Sequence, residues 1–310
     1  MAEAAAAKPD EAEYFSNDFD WESLKQQVET NPSFQFHLHP HLPSSSHKEE
    51  AEARDSNAWQ SFHIRHSSGK FFKERRYLLK EFPELVVTSS ESTKVLEVGC
   101  GNGSSVIPIL RGNKNITVYA CDCSNETLDR VKEMILDANL AYSVDRFVPF
   151  FCDFASTGFP EWLACNSCKG IVHHTQQNCS SEGRCCIGGV DFVTLIFTLS
   201  AVPLKLMPKA IKECFSVLKP GGLLLFRDYG LYDMTMLRFK PDKRVGFREY
   251  IRGDGTRSYF FCLDIVRELF LNAGFVEVEL NYCCVKSENR KRGKTMHRVW
   301  VHGKFQKPML

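Results

Sequence analysis

The chain has 310 residues, 43% of them hydrophobic, and a formal net charge of +1. This length and composition accommodate one large domain with an extension. No apolar run approaches the length of a membrane span, and the Ala-rich acidic start resembles neither a secretory signal nor a transit peptide. Thirteen cysteines without such a signal favour a reducing compartment, so we expect a cytoplasmic protein and leave the nucleus open.

Charge is distributed unevenly along the chain. Residues 1–60 carry 4 Lys and Arg against 12 Asp and Glu, residues 61–226 carry 18 against 16, and residues 227–310 carry 17 against 10, which gives net charges of −8, +2 and +7. A basic carboxy-terminal third is typical of a protein that binds an anionic substrate, and equally of a solvated basic surface. Charge alone therefore leaves both interpretations open.

The first 92 residues divide into two segments. Residues 1–56 are rich in Pro, Ser and acidic residues, which predicts a mostly disordered acidic arm. Residues 57–92 interleave aromatic and basic side chains, which predicts a helical extension packed on the main domain. The same mixture is typical of a surface that faces RNA, because bases stack on aromatic rings and phosphates pair with Lys and Arg. The candidates for such contacts are Phe71, Phe72, Lys73 and Arg75.

Short apolar runs alternate with amphipathic stretches over residues 93–310, which predicts an α/β domain with a mostly parallel sheet and helices on both faces. A polar stretch at 287–294 separates the last two runs and predicts a carboxy-terminal antiparallel hairpin. The predicted fold is a Rossmann-like seven-stranded sheet. Its predicted strands are 94–98, 116–121, 147–152, 190–197, 223–226, 275–282 and 298–304, and its predicted helices include 124–138, 207–218 and 264–272.

The first predicted strand ends in a glycine-rich loop, Glu97-Val98-Gly99-Cys100-Gly101-Asn102-Gly103. Glycines after a parallel strand let the backbone turn tightly and approach a ligand at the start of the next helix. The second strand is followed by Asp122, 19 residues after Gly103, where a carboxylate can accept hydrogen bonds from both ribose hydroxyls of a nucleoside. The third ends in Asp153, which can accept from an adenine amino group while Phe154 covers the ring.

Two nucleoside cofactors are compatible with a glycine loop of this kind. A dinucleotide requires the spacing G-x-G-x-x-G/A, whereas this loop has G-x-G-x-G and Ser104 at the third small-residue position. The acid Glu97 suits a loop near a cationic ligand, so we favour S-adenosylmethionine over a nicotinamide cofactor, although either strand-end acid alone could be an ordinary surface residue. The predicted cofactor contacts are Glu97, Gly99, Gly101, Gly103, Asp122, Cys123, Asp153 and Phe154.

Two further segments, at residues 195–202 and 226–233, follow the fourth and fifth predicted strands. Both lie at the carboxyl edge of the sheet, where open α/β folds bind ligands. The second segment contains Arg227, Asp228 and Tyr229. The Arg-Asp pair is either a structural ion pair or a pair that acts on a substrate beside the cofactor. A long connection follows up to residue 261, and long connections are usually functional.

These segments resemble the family of tRNA N3-methylcytidine methyltransferases. The resemblance covers residue 57 to the end and rests on Phe71-Phe72-Lys73-Glu74-Arg75, the glycine loop and residues 195–202, 226–233, 236–240 and 252–261. It implies methylation of cytosine N3 at position 32 of the tRNA anticodon loop, with S-adenosylmethionine as the methyl donor. It also implies a partner, such as an aminoacyl-tRNA synthetase, that helps to select the tRNA.

The same resemblance assigns roles to individual residues. It adds Ile196 to the cofactor contacts formed by Gly99, Gly101, Asp122 and Asp153. It also assigns residues 57–82 and 238–257 to RNA contact. The candidates in and beside the second of these regions are Arg238, Lys240, Arg252, Arg257 and Tyr259.

The chemistry of N3 methylation suits the residues at the fifth strand end. Cytosine N3 carries a neutral lone pair at physiological pH, so it can attack an electrophilic methyl group without a strong base. The main tasks are then orientation and support of the positive charge that forms on the base. We therefore expect Asp228, Arg227 and Tyr229 to be catalytic, with the Asp228 carboxylate contacting the exocyclic amine. Because N3 is paired in a duplex, the base must be unpaired or flipped out, as in an anticodon loop.

Residues 165–189 depart from the resemblance, because that family usually has a short connection between the third and fourth strands. They contain Cys165, Cys168, His173, His174, Cys179, Cys185 and Cys186. One interpretation is a zinc knuckle, since a C-x-x-C pair with two further Cys or His can form a tetrahedral site. The other is a flexible loop with spare thiols. The second half lacks a C-x-x-C pair and the resemblance calls for no metal, so we assign no metal ligand from the sequence.

Three other functions share parts of this pattern. A small-molecule methyltransferase would use the glycine loop and both acids, but neither the basic carboxy-terminal third nor the aromatic and basic segment. A catalytically silent scaffold subunit would have no use for an intact cofactor loop. An oxidoreductase would require a different glycine spacing. We expect tRNA as the binding partner and no association with a membrane.

Overall fold

The computed structural model describes residues 17–40, 55–65, 74–87, 92–137, 141–165, 185–289 and 294–309. Its strands are β1 Thr93–Val98, β2 Ile116–Asp122, β3 Phe147–Phe151, β4 Val190–Ile196, β5 Leu218–Tyr229, β6 Arg244–Gly246, β7 Glu249–Ile251, β8 Arg257–Tyr259, β9 Val276–Asn289 and β10 Lys294–Gln306. Seven of them form one sheet in the order β3-β2-β1-β4-β5-β10-β9. β1 to β5 pair in parallel, and β10 pairs antiparallel with β5 and β9. The predicted fold class is confirmed.

Helices cover both faces of this sheet, as predicted. They are α1 Trp21–Thr30, α2 Gln35–Leu38, α3 Asp55–Arg65, α4 Leu78–Glu81, α5 Val106–Gly112, α6 Asn125–Asp137, α7 Phe154–Thr157, α8 Met207–Val217, α9 Met234–Leu237 and α10 Leu263–Asn272. One core lies between the sheet and α8 and α10, and the other between the sheet and α4, α5 and α6. Among the helices of the described ranges, none combines the length and apolar character needed to cross a membrane.

Alternate residues of the strands face these two cores, because successive side chains of a strand point to opposite faces of the sheet. In β5, Leu224 and Phe226 pack in one core and Leu225 packs in the other. In β1, Leu96 packs in the first core and Val95 packs in the second. A sheet buried on both faces explains why its parallel strands are nearly continuous apolar runs.

The carboxy-terminal hairpin is longer than the sequence predicts. β9 reaches Asn289 and β10 begins at Lys294. Residues 287–289 and 294 of the predicted polar loop therefore belong to paired strands, and residues 290–293 lie outside the described residues. β9 is an edge strand of the sheet. Polar side chains on an edge strand can be solvated, so backbone pairing outweighs composition there.

Residues 236–261 also differ from the long loop that the sequence predicts. β6, β7 and β8 form a separate three-stranded antiparallel sheet, called the small sheet below. Tyr250 and Phe260 of this region are fully buried, with ring centroids 5.7 Å apart. Strands of three residues are too short to produce a recognisable hydrophobic period.

The prediction of a disordered arm over residues 1–56 is wrong for residues 17–40. Trp21 at the start of α1 stacks on Tyr282 of β9, with ring centroids 4.6 Å apart. Its indole N–H donates to the carbonyl of Leu231, 3.3 Å away. An aromatic residue within an acidic composition therefore anchors this segment to the main domain, through a long-range contact that composition does not reveal.

The same segment lies against the small sheet. Leu24 and Val28 of α1 are buried in a third core together with Tyr250. His37 Nδ1 lies 2.6 Å from the hydroxyl oxygen of Tyr250. Residues 17–40 are therefore part of the folded domain, although Tyr250 of the small sheet that they contact lies 213 residues after His37 in the sequence.

We predict that Trp21→Ala lowers the free energy of unfolding by about 2 kcal/mol, because it removes a half-buried ring and its hydrogen bond. Trp21→Phe should restore part of that loss. Gln26→Ala, on the exposed face of α1, should change the free energy by less than about 0.5 kcal/mol. Urea denaturation monitored by circular dichroism measures all three. Equal stabilities of Trp21→Ala and the unsubstituted protein would favour a loosely attached arm.

Candidate active site

A cavity of about 630 Å³ opens at the carboxyl edge of the parallel strands. This volume lies within the range of about 300–1,000 Å³ that is usual for small-molecule sites. The ends of the parallel strands β1 to β5 contribute to it, together with α3, β10 and residues in and beside the small sheet. The lining residues include Trp59, His63, Arg75, Tyr77, Gly99, Gly101, Asp122, Cys123, Asp153, Phe154, Ile196, Phe197, Ser200, Tyr229, Arg252, Arg257, Arg298 and Trp300.

The glycine loop borders this cavity with its main chain. Gly99 and Gly101 have φ angles of +67° and +51°, in the left-handed region that favours glycine. A side chain at Gly99 would meet Cγ2 of Thr198 at 2.5 Å, so only glycine lets the loop pass this close to the end of β4. At Gly101 the nearest atom to such a side chain, on His63, would be 3.9 Å away. The loop therefore offers a ligand an accessible backbone at Gly101.

Asp122 and Asp153 border the same cavity, at the ends of β2 and β3. The carboxylate of Asp122 accepts hydrogen bonds from the N–H of Gly101, at 2.9 Å, and from the N–H of Ser124, at 3.1 Å. Burial raises the pKa of Asp122, and the neighbouring His63 opposes that rise. Asp122 thus fixes the glycine loop in place and presents an acceptor to the same space.

Asp153 stands in an environment that combines one acid with apolar neighbours. One of its oxygens caps α7 by accepting from the N–H of Ser156, at 3.3 Å. Phe154 follows it directly and lines the cavity beside it, whereas Ile196 lines the cavity at the end of β4. A polar edge beside an apolar surface matches the edge and one face of a nucleoside base.

Two of the predicted cofactor residues lie behind the cavity rather than on its surface. Glu97 is fully buried and accepts from the hydroxyl of Thr194, and burial raises its pKa to about 7. Gly103 approaches α6, where a side chain would meet Cγ1 of Val131 at 2.9 Å. The structure therefore does not place either residue in direct contact with a cofactor in the cavity. Glu97 places an acid beneath the loop, and Gly103 permits close packing of the loop against α6.

Phe197, Tyr229 and Trp300 form one side of the cavity, called the aromatic wall below. They come from the end of β4, the end of β5 and β10. The ring of Phe197 lies 5.2 Å from that of Tyr229 and 6.4 Å from that of Trp300, between centroids. Phe197 has a φ of +56°, which costs a residue with a side chain on the order of 1–3 kcal/mol. Strain of this kind is commonly retained at functional sites.

Arg227 lies behind the aromatic wall and does not line the cavity. Its guanidinium carbon is 4.4 Å from the ring centroid of Trp300 and 5.0 Å from that of Tyr77. It forms a fully buried ion pair with Glu81 of α4, at 2.5 Å, and Nδ1 of His302 lies 2.9 Å from the same carboxylate oxygen. These contacts lie within the protein interior, so the structure indicates a structural role for Arg227 where the sequence predicts a catalytic one.

Asp228 is also fully buried, beneath the cavity. Its two oxygens accept from the N–H of Ser200, at 2.9 Å, and from the N–H of Tyr229, at 2.8 Å. Burial raises its pKa to about 6. The predicted contact of Asp228 with a substrate amine is therefore corrected: the carboxylate holds two residues of the cavity lining. Of the three predicted catalytic residues, Tyr229 is the one that faces the cavity.

Basic side chains border the cavity beside the aromatic wall. They are Arg75, Arg252, Arg257 and Arg298. Arg257 pairs with Glu249 at 2.6 Å and Arg298 pairs with Asp233 at 2.8 Å. Within the described ranges, no carboxylate oxygen lies within 4.0 Å of the charged groups of Arg75 and Arg252. These two guanidinium groups are therefore the better placed for an anionic ligand.

The other predicted RNA contacts have different positions. Arg238 and Lys240 are exposed on the surface outside the cavity. The prediction for Tyr259 is wrong, because its side chain is 2% exposed and its ring packs 4.8 Å from that of Phe261. The predicted contacts that lie outside the described residues are Phe71, Phe72 and Lys73.

Several residues of the cavity carry little signal in the sequence. Arg298 and Trp300 come from β10, which has the pattern of an ordinary strand. His63 comes from α3 and lies beside Gly101 and Asp122 only in the folded chain. The position of Phe197 near the cavity is predictable, because it lies in the segment that follows β4. Its left-handed backbone conformation is not predictable from the local sequence.

Comparison with known proteins identifies related chains. A family model described as a methyltransferase domain matches residues 51–280. The chain is 36% identical over 270 residues to the tRNA N(3)-cytidine methyltransferase METTL6 of Homo sapiens. This alignment covers 86% of this chain and 85% of the human protein. It is 33% identical over 279 residues to the tRNA N(3)-methylcytidine methyltransferase Mettl2 of Drosophila melanogaster, which covers 86% of this chain and 77% of the other.

Solved structures share the fold. A SAM-dependent methyltransferase from Anabaena variabilis superimposes with a TM-score of 0.56 and 12% identity, over 81% of this chain and 94% of that one. At this identity the likeness shows the fold alone. The family model and the two relatives decide the family, because each match extends over most of the chain. The chain belongs to the methyltransferase family and, within it, to the tRNA N(3)-cytidine methyltransferases.

Proposed function

We propose that this protein transfers a methyl group from S-adenosylmethionine to N3 of a cytosine in tRNA, at position 32 of the anticodon loop. The observation that carries the proposal is the meeting of two environments in one cavity. The glycine loop with Asp122 and Asp153 lies on one side, and the aromatic wall with Arg75 and Arg252 lies on the other. The matches to the two relatives named as tRNA N(3)-cytidine and N(3)-methylcytidine methyltransferases extend over most of the chain.

The first environment suits the methyl donor. Asp122 and Asp153 offer acceptors for ribose hydroxyls and for an adenine amino group, and Phe154 and Ile196 offer apolar surface for the ring. Glu97 places a buried acid beneath the loop, and a cationic ligand nearby would favour the ionised form of that acid. When bound, S-adenosylmethionine supplies an electrophilic methyl group.

The second environment suits an extruded pyrimidine. Flipped or unpaired bases are held by stacking on aromatic rings, and the aromatic wall provides such surfaces. The guanidinium carbon of Arg252 lies 5.8 Å from the ring centroid of Tyr229, so a phosphate contact and a stacking surface adjoin each other. Arg75 lies 5.3 Å from the ring centroid of Phe197 and completes the same arrangement.

Little proton transfer is required of the protein in this reaction. The N3 lone pair attacks directly, so the residues of the cavity orient the base and stabilise the positive charge that develops on it. Asp228 contributes through position, because it fixes the N–H groups of Ser200 and Tyr229. Methylation of a hydroxyl group on a small molecule would instead need a base to remove a proton.

We also propose a location and a partner. The cytosol suits a chain with thirteen cysteines, because thiols stay reduced in that compartment. A tRNA-selecting partner, such as an aminoacyl-tRNA synthetase, is proposed on the family resemblance alone.

The proposal is tested by methyl transfer to tRNA isolated from cells that lack this protein. We expect N3-methylcytidine after nuclease digestion and mass spectrometry, and its position from fragments of the anticodon arm. Asp122→Asn should weaken cofactor binding at least about tenfold, because an amide cannot accept from two N–H groups and also serve a ribose. Asp129→Asn, an exposed acid of α6, is the matched control.

Each alternative function has its own outcome in this experiment. A different methylated nucleoside would change the acceptor atom only. Calorimetric binding of S-adenosylmethionine without methyl transfer to any RNA would favour a silent scaffold. Methyl transfer to metabolites, with no binding to tRNA, would favour a small-molecule methyltransferase.

We predict that Asp228→Asn lowers kcat at least about tenfold, since an amide can accept only one of the two N–H groups that the carboxylate holds. The dissociation constant of S-adenosylmethionine should change less than about threefold. The kcat of the unsubstituted protein should fall as pH drops below about 6, where Asp228 takes up a proton, and the kcat of Asp228→Asn should lack this step. Unchanged kcat in the variant would remove Asp228 from the mechanism.

We predict that Arg252→Ala weakens tRNA binding and reduces the slope of log K against log salt by about one, as expected for the loss of one phosphate contact. Arg267→Ala is the matched control, because Arg267 lies on α10, pairs with Glu277 of β9 and does not line the cavity. Filter binding over a range of KCl concentrations measures both slopes. Identical slopes for the two variants would remove Arg252 from the RNA interface.

A further inference from the structure

Three cysteine sulfurs converge at the ends of the connection between β3 and β4. The Sγ atoms of Cys165, Cys185 and Cys186 all lie within 4.8 Å of one another. The Sγ atoms of Cys165 and Cys185 are 3.1 Å apart. Cys165 and Cys186 are buried, with 8% and 9% of their surface exposed, whereas Cys185 is exposed. These are three of the thiols for which the sequence alone left a zinc knuckle and a loop with spare thiols as alternatives.

The backbone brings these cysteines together. The N–H of Ile187 donates to the carbonyl of Trp162, and the N–H of Gly189 donates to the carbonyl of Leu163, both at 2.8 Å. Leu163 is fully buried, and the ring of Trp162 packs 5.0 Å from that of Phe150 in β3. The two arms of the connection are therefore paired with each other and anchored to the main sheet. The closeness of the thiols follows from this pairing.

We propose that Cys165, Cys185 and Cys186 form a thiolate site for Zn²⁺. Zinc binds Cys sulfur at about 2.3 Å in a tetrahedral arrangement, which places neighbouring sulfurs about 3.8 Å apart. The observed spacing brackets that value, so small side-chain rotations would bring the three sulfurs to one ion. Three of the four donors of a structural zinc site are thus in place among the described residues.

A disulfide between Cys165 and Cys185 is the competing arrangement. It would use two sulfurs and leave the third, on Cys186, buried against them without a role. Zinc uses all three, and thiolates persist in the reducing compartment that the composition favours. Convergence of three sulfurs rather than two therefore favours the metal.

The zinc ion would stabilise the fold and would take no part in methyl transfer. None of the three cysteines lines the cavity. They lie at the amino end of β4, whose seven residues place its two ends about 20 Å apart, and Phe197 follows the other end. The ion would fasten the segment that follows α7 to the start of β4, whose other end reaches the cavity at Ile196.

The test is the metal content of the full chain, purified with a reducing agent and without chelators. We expect about one zinc ion per chain by mass spectrometry of the elements. Cys165→Ser and Cys186→Ser should each retain less than about a fifth of that content. Cys262→Ser, a half-buried cysteine beside Arg248, is the matched control and should retain all of it. A strong chelator should lower the melting temperature of the unsubstituted protein and of Cys262→Ser, but should not change those of the other two variants.

Cobalt substitution in the unsubstituted protein makes the test independent of whether the serine variants fold. Co²⁺ bound by thiolates gives an intense charge-transfer absorption band, which Zn²⁺ should then displace. The proposal is overturned if this band is absent and zinc stays below about a fifth of an equivalent after reconstitution. It is also overturned if the intact protein has a mass lower by two hydrogen atoms and peptide mapping shows a disulfide between Cys165 and Cys185. Binding of S-adenosylmethionine, measured on the same samples, reports separately on the active site.

Discussion

A guanidinium group enclosed in the protein interior fixes the position of the aromatic wall. Arg227 of β5 is fully buried, and an isolated charge there would be costly, by several kcal/mol. Glu81 neutralises it, His302 binds the same carboxylate, and the rings of Tyr77 and Trp300 cover the cation. The pair joins the extension before β1 to the centre of the sheet and to β10. Ion pairs of this kind contribute less to net stability than to the definition of one arrangement, and here that arrangement includes two residues of the cavity.

The two sides of the cavity are built in different ways. On the cofactor side, loops follow directly after strands, and glycine and acidic residues act where the sequence places them. On the acceptor side, Phe197 after β4, Tyr229 of β5 and Trp300 of β10 meet only through tertiary packing. The charges differ as well, since acids border the first side and arginines border the second. One cavity can therefore hold a cationic nucleoside and an anionic polynucleotide at adjoining positions.

The sequence predicts well what strand ends and glycine spacing determine. The glycine loop, Asp122 and Asp153 could be placed around one space, because parallel strands bring their carboxyl ends to one edge. The sequence places Arg227 and Asp228 at the correct strand end, but a sheet buried on both faces gives no hydrophobic alternation to show which residue faces the ligand. The order of residues 17–40 depends on the contact of Trp21 with Tyr282, 261 positions away, which no local pattern encodes.

The place of β10 in the sheet has a consequence for the order of assembly during translation. β10 is inserted between β5 and β9, and it supplies both Trp300 and His302. The ribosome synthesises the glycine loop, both acids and β5 before this strand. A nascent chain can therefore form its nucleoside-binding half while β5 still presents an unpaired edge. That edge can pair with other strands until β10 covers it, and the site for the base is complete only then.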